Sequence, residues 1–94
     1  MIKKFKFTND RIRSLPANDK SSSSTELEVT DTELVGFKCL SGKSGNKRFL
    51  LRYTFNGRKR SINLGRFPDI DVAAARKAVR SYRAMLAEGS VVVQ

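Results

Sequence analysis

Hydrophobic and polar positions alternate most regularly between Arg48 and Gly65, on either side of an Asn56-Gly57 pair. Asn-Gly between two β-rich runs predicts a hairpin closed by a two-residue I′ turn, which needs φ > 0 at both central positions. The turn sets the register: Phe55 opposite Arg58, Thr54 opposite Lys59, Tyr53 opposite Arg60, Arg52 opposite Ser61, Leu51 opposite Ile62, Leu50 opposite Asn63 and Phe49 opposite Leu64. Side chains alternate faces along a strand, so Phe49, Leu51, Tyr53, Ile62 and Leu64 share one side. Arg48, Arg52, Thr54, Lys59, Ser61 and Asn63 share the other. The first set suits a core; the second offers cations and short hydrogen-bonding groups on a surface of major-groove width.

The same reading places the remaining elements around this hairpin. Phe7 to Leu15 reads as a short helix capped by Thr8 or Asn9, with Ile12 and Leu15 on one side and Pro16 as its stop. Residues 17–25, with four consecutive serines, read as a flexible polar linker. Glu26 to Thr30 reads as a short edge strand and Val35 to Leu40 as a better one, with Val35, Phe37 and Cys39 inward and Lys38 outward. Ser41-Gly42-Lys43-Ser44-Gly45-Asn46 superficially resembles a phosphate-binding loop, but such a loop leads into a helix and here a strand follows. A hairpin loop bringing Lys43 and Lys47 to phosphate is the better reading. Asp71 caps a helix from Val72 to Glu88 that Gly89 stops. Val72, Ala75, Val79, Tyr82 and Leu86 form its packing stripe, with Arg76, Lys77, Arg80 and Arg83 on the flanking surface. Val91-Val92-Val93 reads as the start of a further element.

With 94 residues, one domain is expected. Charge then changes the picture. Lysines and arginines number 19 against 9 acids, a formal net charge of +10. The excess is concentrated: from Glu33 to Asp69 the chain carries Lys38, Lys43, Lys47, Arg48, Arg52, Arg58, Lys59, Arg60 and Arg66 without an acid. Such a window favours a polyanionic partner. The chain has no histidine, and its single cysteine, Cys39, excludes an internal disulfide and a thiolate metal cluster. Cys39 reads as a small core residue. No catalytic set, metal site or cofactor site can be assembled from these residues. No apolar run approaches the ~20 residues of a membrane span, and the first residues lack a secretory signal's apolar stretch, so cytoplasm is the expected compartment.

With hairpin and helix joined, the chain closely resembles the N-terminal arm-type DNA-binding domain of phage and genomic-island integrases, the tyrosine recombinases. Leu51-Arg52-Tyr53, Asn56-Gly57-Arg58-Lys59-Arg60, Leu64-Gly65, Phe67-Pro68 and Ala75-Arg76 carry the likeness, and Thr8 to Pro16 resembles the family's opening segment. Asp71 stands where the family usually has Ser or Thr, and the serine-rich stretch where it often has Pro and Lys. The resemblance implies an α+β fold, with a three-stranded antiparallel sheet and a C-terminal helix on one face. The other face is then laid in the major groove of arm-type DNA sites. It further implies that residues 1–94 are one non-catalytic module of a longer integrase, whose catalytic tyrosine lies elsewhere. Other integrase subunits or architectural proteins are then partners, and the nucleoid of a bacterial cell is the setting. Tyr53 and Tyr82, on packing faces, are not nucleophiles.

The residues expected to meet DNA are therefore Lys38, Lys43, Lys47, Arg48, Arg52, Thr54, Arg58, Lys59, Arg60, Ser61, Asn63 and Arg66. Two other readings stand beside this one. A double-stranded RNA-binding domain has a similar element order, but it meets phosphates with lysines at its last helix's N-terminus, where this chain has Asp69 and Asp71. A protein-interaction domain whose charge serves solubility would bind its partner independently of salt.

Overall fold

The computed structural model describes residues 3–87. Among these, five strands, β1 (Lys4–Phe5), β2 (Glu26–Asp31), β3 (Phe37–Gly42), β4 (Lys47–Phe55) and β5 (Arg58–Phe67), lie side by side in chain order. Two helices, α1 (Asn9–Arg13) and α2 (Val72–Ala87), complete the fold. β1 runs parallel to β2, and every other neighbouring pair is antiparallel.

The α+β class and the C-terminal helix agree with the sequence expectation, but the sheet has five strands, not three. β2 joins because Leu27 and Val29 alternate with Glu26, Glu28 and Thr30, so one side of the strand is apolar. β1 is two residues long and carries no pattern of its own. Backbone bonds hold it, Thr30 N–H to the Lys3 carbonyl at 2.8 Å and Thr32 N–H to the Phe5 carbonyl at 3.1 Å.

The hairpin register is as expected from Phe55–Arg58 through Leu50–Asn63, around a turn in which Asn56 and Gly57 have φ of 52° and 75°. Past Asn63 it departs from expectation, since Phe49 faces Gly65 and Leu64 is the extra residue of a β-bulge. Gly65 takes φ 134°, and a Cβ there would stand 3.1 Å from Ile70 Cδ1. The bulge inverts the alternation beyond it. Arg66 therefore turns to Arg48's side, and Phe67 packs beneath the sheet against Phe49 with ring centroids 6.2 Å apart.

That contact ends a row of rings, Phe5–Phe7–Phe37–Phe49–Phe67, with centroid separations of 5.3, 5.0, 5.6 and 6.2 Å. Such pairs add ~0.5–1.5 kcal/mol each beyond area burial. The core continues through Ile12, Leu15, Val29, Cys39, Leu51, Ile62, Val72, Ala75 and Val79, so both helices cover the same face. Burial pushes the Cys39 thiol up to about 12 despite the nearby Lys47 ammonium, leaving it a neutral packing group near neutrality.

Caps position the helices. Thr8 Oγ1 accepts from Arg11 N–H at 3.2 Å, and Asp71 Oδ1 accepts from Ala74 N–H at 2.8 Å. Asn9 Oδ1 accepts from Val72 N–H at 2.9 Å and so ties the two helix starts together. The expected helix end at Glu88, the Gly89 stop and the Val91–Val93 run lie outside the described residues.

Two placements differ from expectation. Val35 is 76% exposed instead of inward. Asp31 Oδ2 accepts from the Glu33 and Leu34 N–H groups and makes a turn there, which delays β3 until Phe37. Arg76, expected on the helix surface, is 9% exposed and paired with Asp31 beneath the sheet. Residues 17–25 form neither helix nor strand before Ser24 and Thr25 lead into β2; Asn18 fixes this stretch to the β3 end through its N–H on the Gly42 carbonyl at 3.0 Å.

Candidate nucleic-acid interface

Because both helices pack on one side, strand alternation sends a second set of side chains to the side no described helix covers. Register places Lys38 on β3, Arg48, Arg52 and Thr54 on β4, and Lys59, Ser61, Asn63 and Arg66 on β5 together on this outward face. The bulge is what brings Arg66 opposite Arg48. The remaining expected residues fall elsewhere. Arg58 and Arg60 pair with Phe55 and Tyr53, so they share the apolar parity but stand exposed at the hairpin tip. Lys47 pairs with Ser41 and Phe67 and has the core parity, at the start of β4. Lys43 sits in the β3–β4 turn, its ammonium donating to the Ser22 carbonyl at 2.9 Å and the Lys20 carbonyl at 3.3 Å.

The outward face is not purely basic, because β2 contributes Glu26 and Glu28 to it. Arg48 donates through Nε to Glu26 Oε2 at 3.0 Å and through Nη2 to Oε1 at 2.8 Å. Arg52 donates through Nε to Glu28 Oε1 at 2.8 Å, with Nη2 2.7 Å from the same oxygen. The Arg48 guanidinium holds the Glu26 carboxyl below its ordinary value, and Glu26 raises Arg48 in turn. These acids were hidden by reading charge along the chain, where Glu33 to Asp69 is acid-free. Their signal was the alternation Glu26-Leu27-Glu28-Val29, which puts both carboxylates on the side opposite the apolar residues.

Leu40 and Leu50 were missed as well. Each is only 5% exposed although they lie on the side without a helix. Their cross-strand neighbours there are Glu28 and Arg48 for Leu40, and Lys38 and Asn63 for Leu50. Long charged side chains cover apolar surface with their methylene stems while keeping the heads in water. The two leucines thus form an apolar floor to an open depression that Glu26, Glu28, Arg48 and Arg52 also line.

The hydrogen-bonding state of each group decides what it can offer a ligand. Lys38 donates to Thr30 Oγ1 at 2.9 Å, and Asn63 Oδ1 accepts from Gly65 N–H at 3.2 Å across the bulge. That bond fixes the Asn63 side chain and leaves its amide donors for the face. Among the described residues, Lys59 and Arg66 have neither an ion-pair nor a side-chain hydrogen-bond partner. The face can therefore bind an extended anion and present donors to flat polar edges.

Among the described residues no helix is long and apolar enough to cross a membrane. No curated protein matches the chain. The Arm DNA-binding domain family, a non-catalytic DNA-binding module of integrases, matches residues 7–93, and the chain belongs to that family.

Proposed function

We propose that this chain recognises arm-type sites in double-stranded DNA by laying the outward face of its sheet in the major groove, with the selectivity that site-specific integration and excision by a tyrosine recombinase requires. The observation that carries this reading is the gathering of Lys38, Arg48, Arg52, Thr54, Lys59, Ser61, Asn63 and Arg66 on the face that no described helix covers. A twisted sheet fits the ~12 Å major groove, where arginine and asparagine pair with guanine and adenine edges. Arg52, Ser61 and Asn63 lie where the sheet approaches base edges, whereas Lys43, Arg58, Lys59, Arg60 and Arg66 lie towards turns and edges and meet phosphates. Lys47 serves at the start of β4, beside the β3–β4 turn. Cleavage and strand exchange fall to a catalytic domain outside this module, and further integrase subunits or architectural proteins hold the DNA segments together.

The RNA-binding alternative is disfavoured by the start of α2. Its Val72 and Ala74 N–H groups are taken by Asn9 and Asp71, and Asp71 would repel a phosphate there. Titration of duplex DNA at several salt concentrations tests the proposal. With ~4 to 6 phosphates neutralised, log K falls against log salt with a slope of about −4 to −5. A flat line overturns it.

A further inference from the structure

The two outward ion pairs use only part of each arginine. In both, the carboxylate takes the side-on edge made by Nε and Nη2. Nη1 has no partner among the described residues in either arginine. A guanidinium carries five N–H donors in a rigid planar fork, so a group held side-on still presents Nη1 and the second Nη2 proton end-on. That end-on pair is the geometry that meets guanine O6 and N7 together.

The placement of the acids makes this more than surface neutralisation. Register sets Glu28 directly across β3 from Arg48, through Leu40, so Arg48 and Arg52 both lean towards the start of β2 to reach Glu26 and Glu28. The strip between them is floored by Leu40 and Leu50. An apolar floor limits the rotamers open to the arginine stems, while the pairs themselves stay partly exposed. The two carboxylates also stand where a phosphate drawn to these arginines would otherwise sit. Negative charge there opposes sequence-independent attraction while leaving base contacts available.

We infer that Glu26 and Glu28 are specificity-positioning residues, each fixing one arginine side-on so that its end-on edge reads a base and not a phosphate. This rests on the DNA-binding reading above. It assigns β2, an element outside the basic hairpin, a direct part in discrimination.

The experiment compares wild type with Glu28→Ala, Glu28→Gln, Arg52→Ala and the Glu28→Ala/Arg52→Ala double variant. The probes are a duplex enriched by the wild-type chain from a pool of short randomised duplexes, and a shuffled duplex of the same base composition. Glu28→Ala is expected to bind the shuffled duplex more tightly and to lose about five- to tenfold of the preference for the enriched one, the lower part of what one bidentate contact supplies. Glu28→Gln keeps an acceptor oxygen and restores part of that preference. In the Arg52→Ala background, removal of Glu28 leaves the preference unchanged, because the acid acts through that arginine. The same set at Glu26 and Arg48 gives the same pattern. Equal gains on both duplexes in Glu28→Ala would make the acids simple repellents and overturn the inference, as would an unchanged preference. A loss of preference that persists in the Arg52→Ala background also overturns it. Should wild type show no preference for any duplex, the selective reading itself falls, and this one with it.

Discussion

Arg76 and Arg52 carry the same side chain to opposite faces of one sheet, and each meets a carboxylate there. They differ in how much of the guanidinium is used. Arg76 Nη1 donates to Asp31 Oδ2 and Glu33 Oε2, both at 3.1 Å, while Nη2 donates to the Phe7 carbonyl at 2.9 Å and to Asp31 Oδ1 at 3.4 Å. Its Cζ also stands 5.8 Å from the Phe37 ring centroid. Arg52 gives one edge to Glu28 and keeps the other. Arg76 is spent on joining α2 to β2 and the segment before α1, whereas Arg52 keeps Nη1 without a partner among the described residues.

The largest effect should come from breaking the buried member of this comparison. Asp31 accepts from Phe7 N–H at 2.9 Å and from the Glu33 and Leu34 N–H groups, besides pairing with Arg76. Removing one partner of a buried pair costs ~3–5 kcal/mol because the other charge is left uncompensated. Arg76→Ala should therefore lower the melting temperature by at least ~12 °C in a domain of this size, and Asp31→Ala by more, since it also strands three N–H groups. A melt within ~2 °C of wild type would place Arg76 with the surface arginines.

A smaller contrast lies along the hairpin. Leu51 is fully buried in the core cluster, and Leu51→Ala should cost ~2–5 kcal/mol in urea unfolding. Lys59→Ala, one of the exposed outward cations, should change stability by less than ~0.5 kcal/mol and weaken binding to every duplex. Inversion of these two results would reverse the face assignment.

The main hairpin was legible because its determinants are local: an Asn-Gly turn and period-two alternation on both sides. Capping by Thr8 and Asp71 and the α2 stripe from Val72 to Tyr82 were legible for the same reason. What escaped depends on neighbours distant in sequence. β1 exists through its bonds to β2, and the bulge at Leu64 matters because it reverses the sides of Arg66 and Phe67. A count of acids along the chain finds none near Arg48 and Arg52, yet the sheet sets Glu26 and Glu28 against them. Arg76 shares a helix flank with Lys77 and Arg80, and charge alone does not tell them apart.

The proposed division between base-reading and phosphate-holding cations gives the next test. Arg52→Ala should narrow the gap between enriched and shuffled duplexes by ~1–3 kcal/mol, the discrimination of one bidentate contact. Arg66→Ala should weaken both about equally and reduce the salt slope by ~0.9, the contribution of one phosphate contact. Lys43→Ala makes the comparison sharper. Its ammonium already serves the Ser22 and Lys20 carbonyls, so its slope change should fall below that of Arg66→Ala. Competition binding at two salt concentrations measures all three. Proportional losses on both duplexes in every variant would make the sheet a non-specific clamp.

The smallest effect concerns what an outward ion pair does for folding. Glu26 is held below its ordinary 4.5 by Arg48, so the folded state binds its proton less readily than the unfolded chain does. Its contribution to stability is therefore complete above the ordinary value and is lost as pH falls through the lowered, folded one. The size is limited, because both side chains remain about one-third exposed and such pairs contribute ~0.2–1 kcal/mol. Other carboxylates titrate in the same window, so the informative quantity is the difference between wild type and Glu26→Gln in urea midpoint across it. That difference should be largest near neutrality and shrink towards acid, whereas a difference independent of pH would mean that Arg48 is held by its packing over Leu40 and owes nothing to the carboxylate's charge. A difference as large as that of Arg76→Ala would instead place the outward pairs among the groups that hold the fold together.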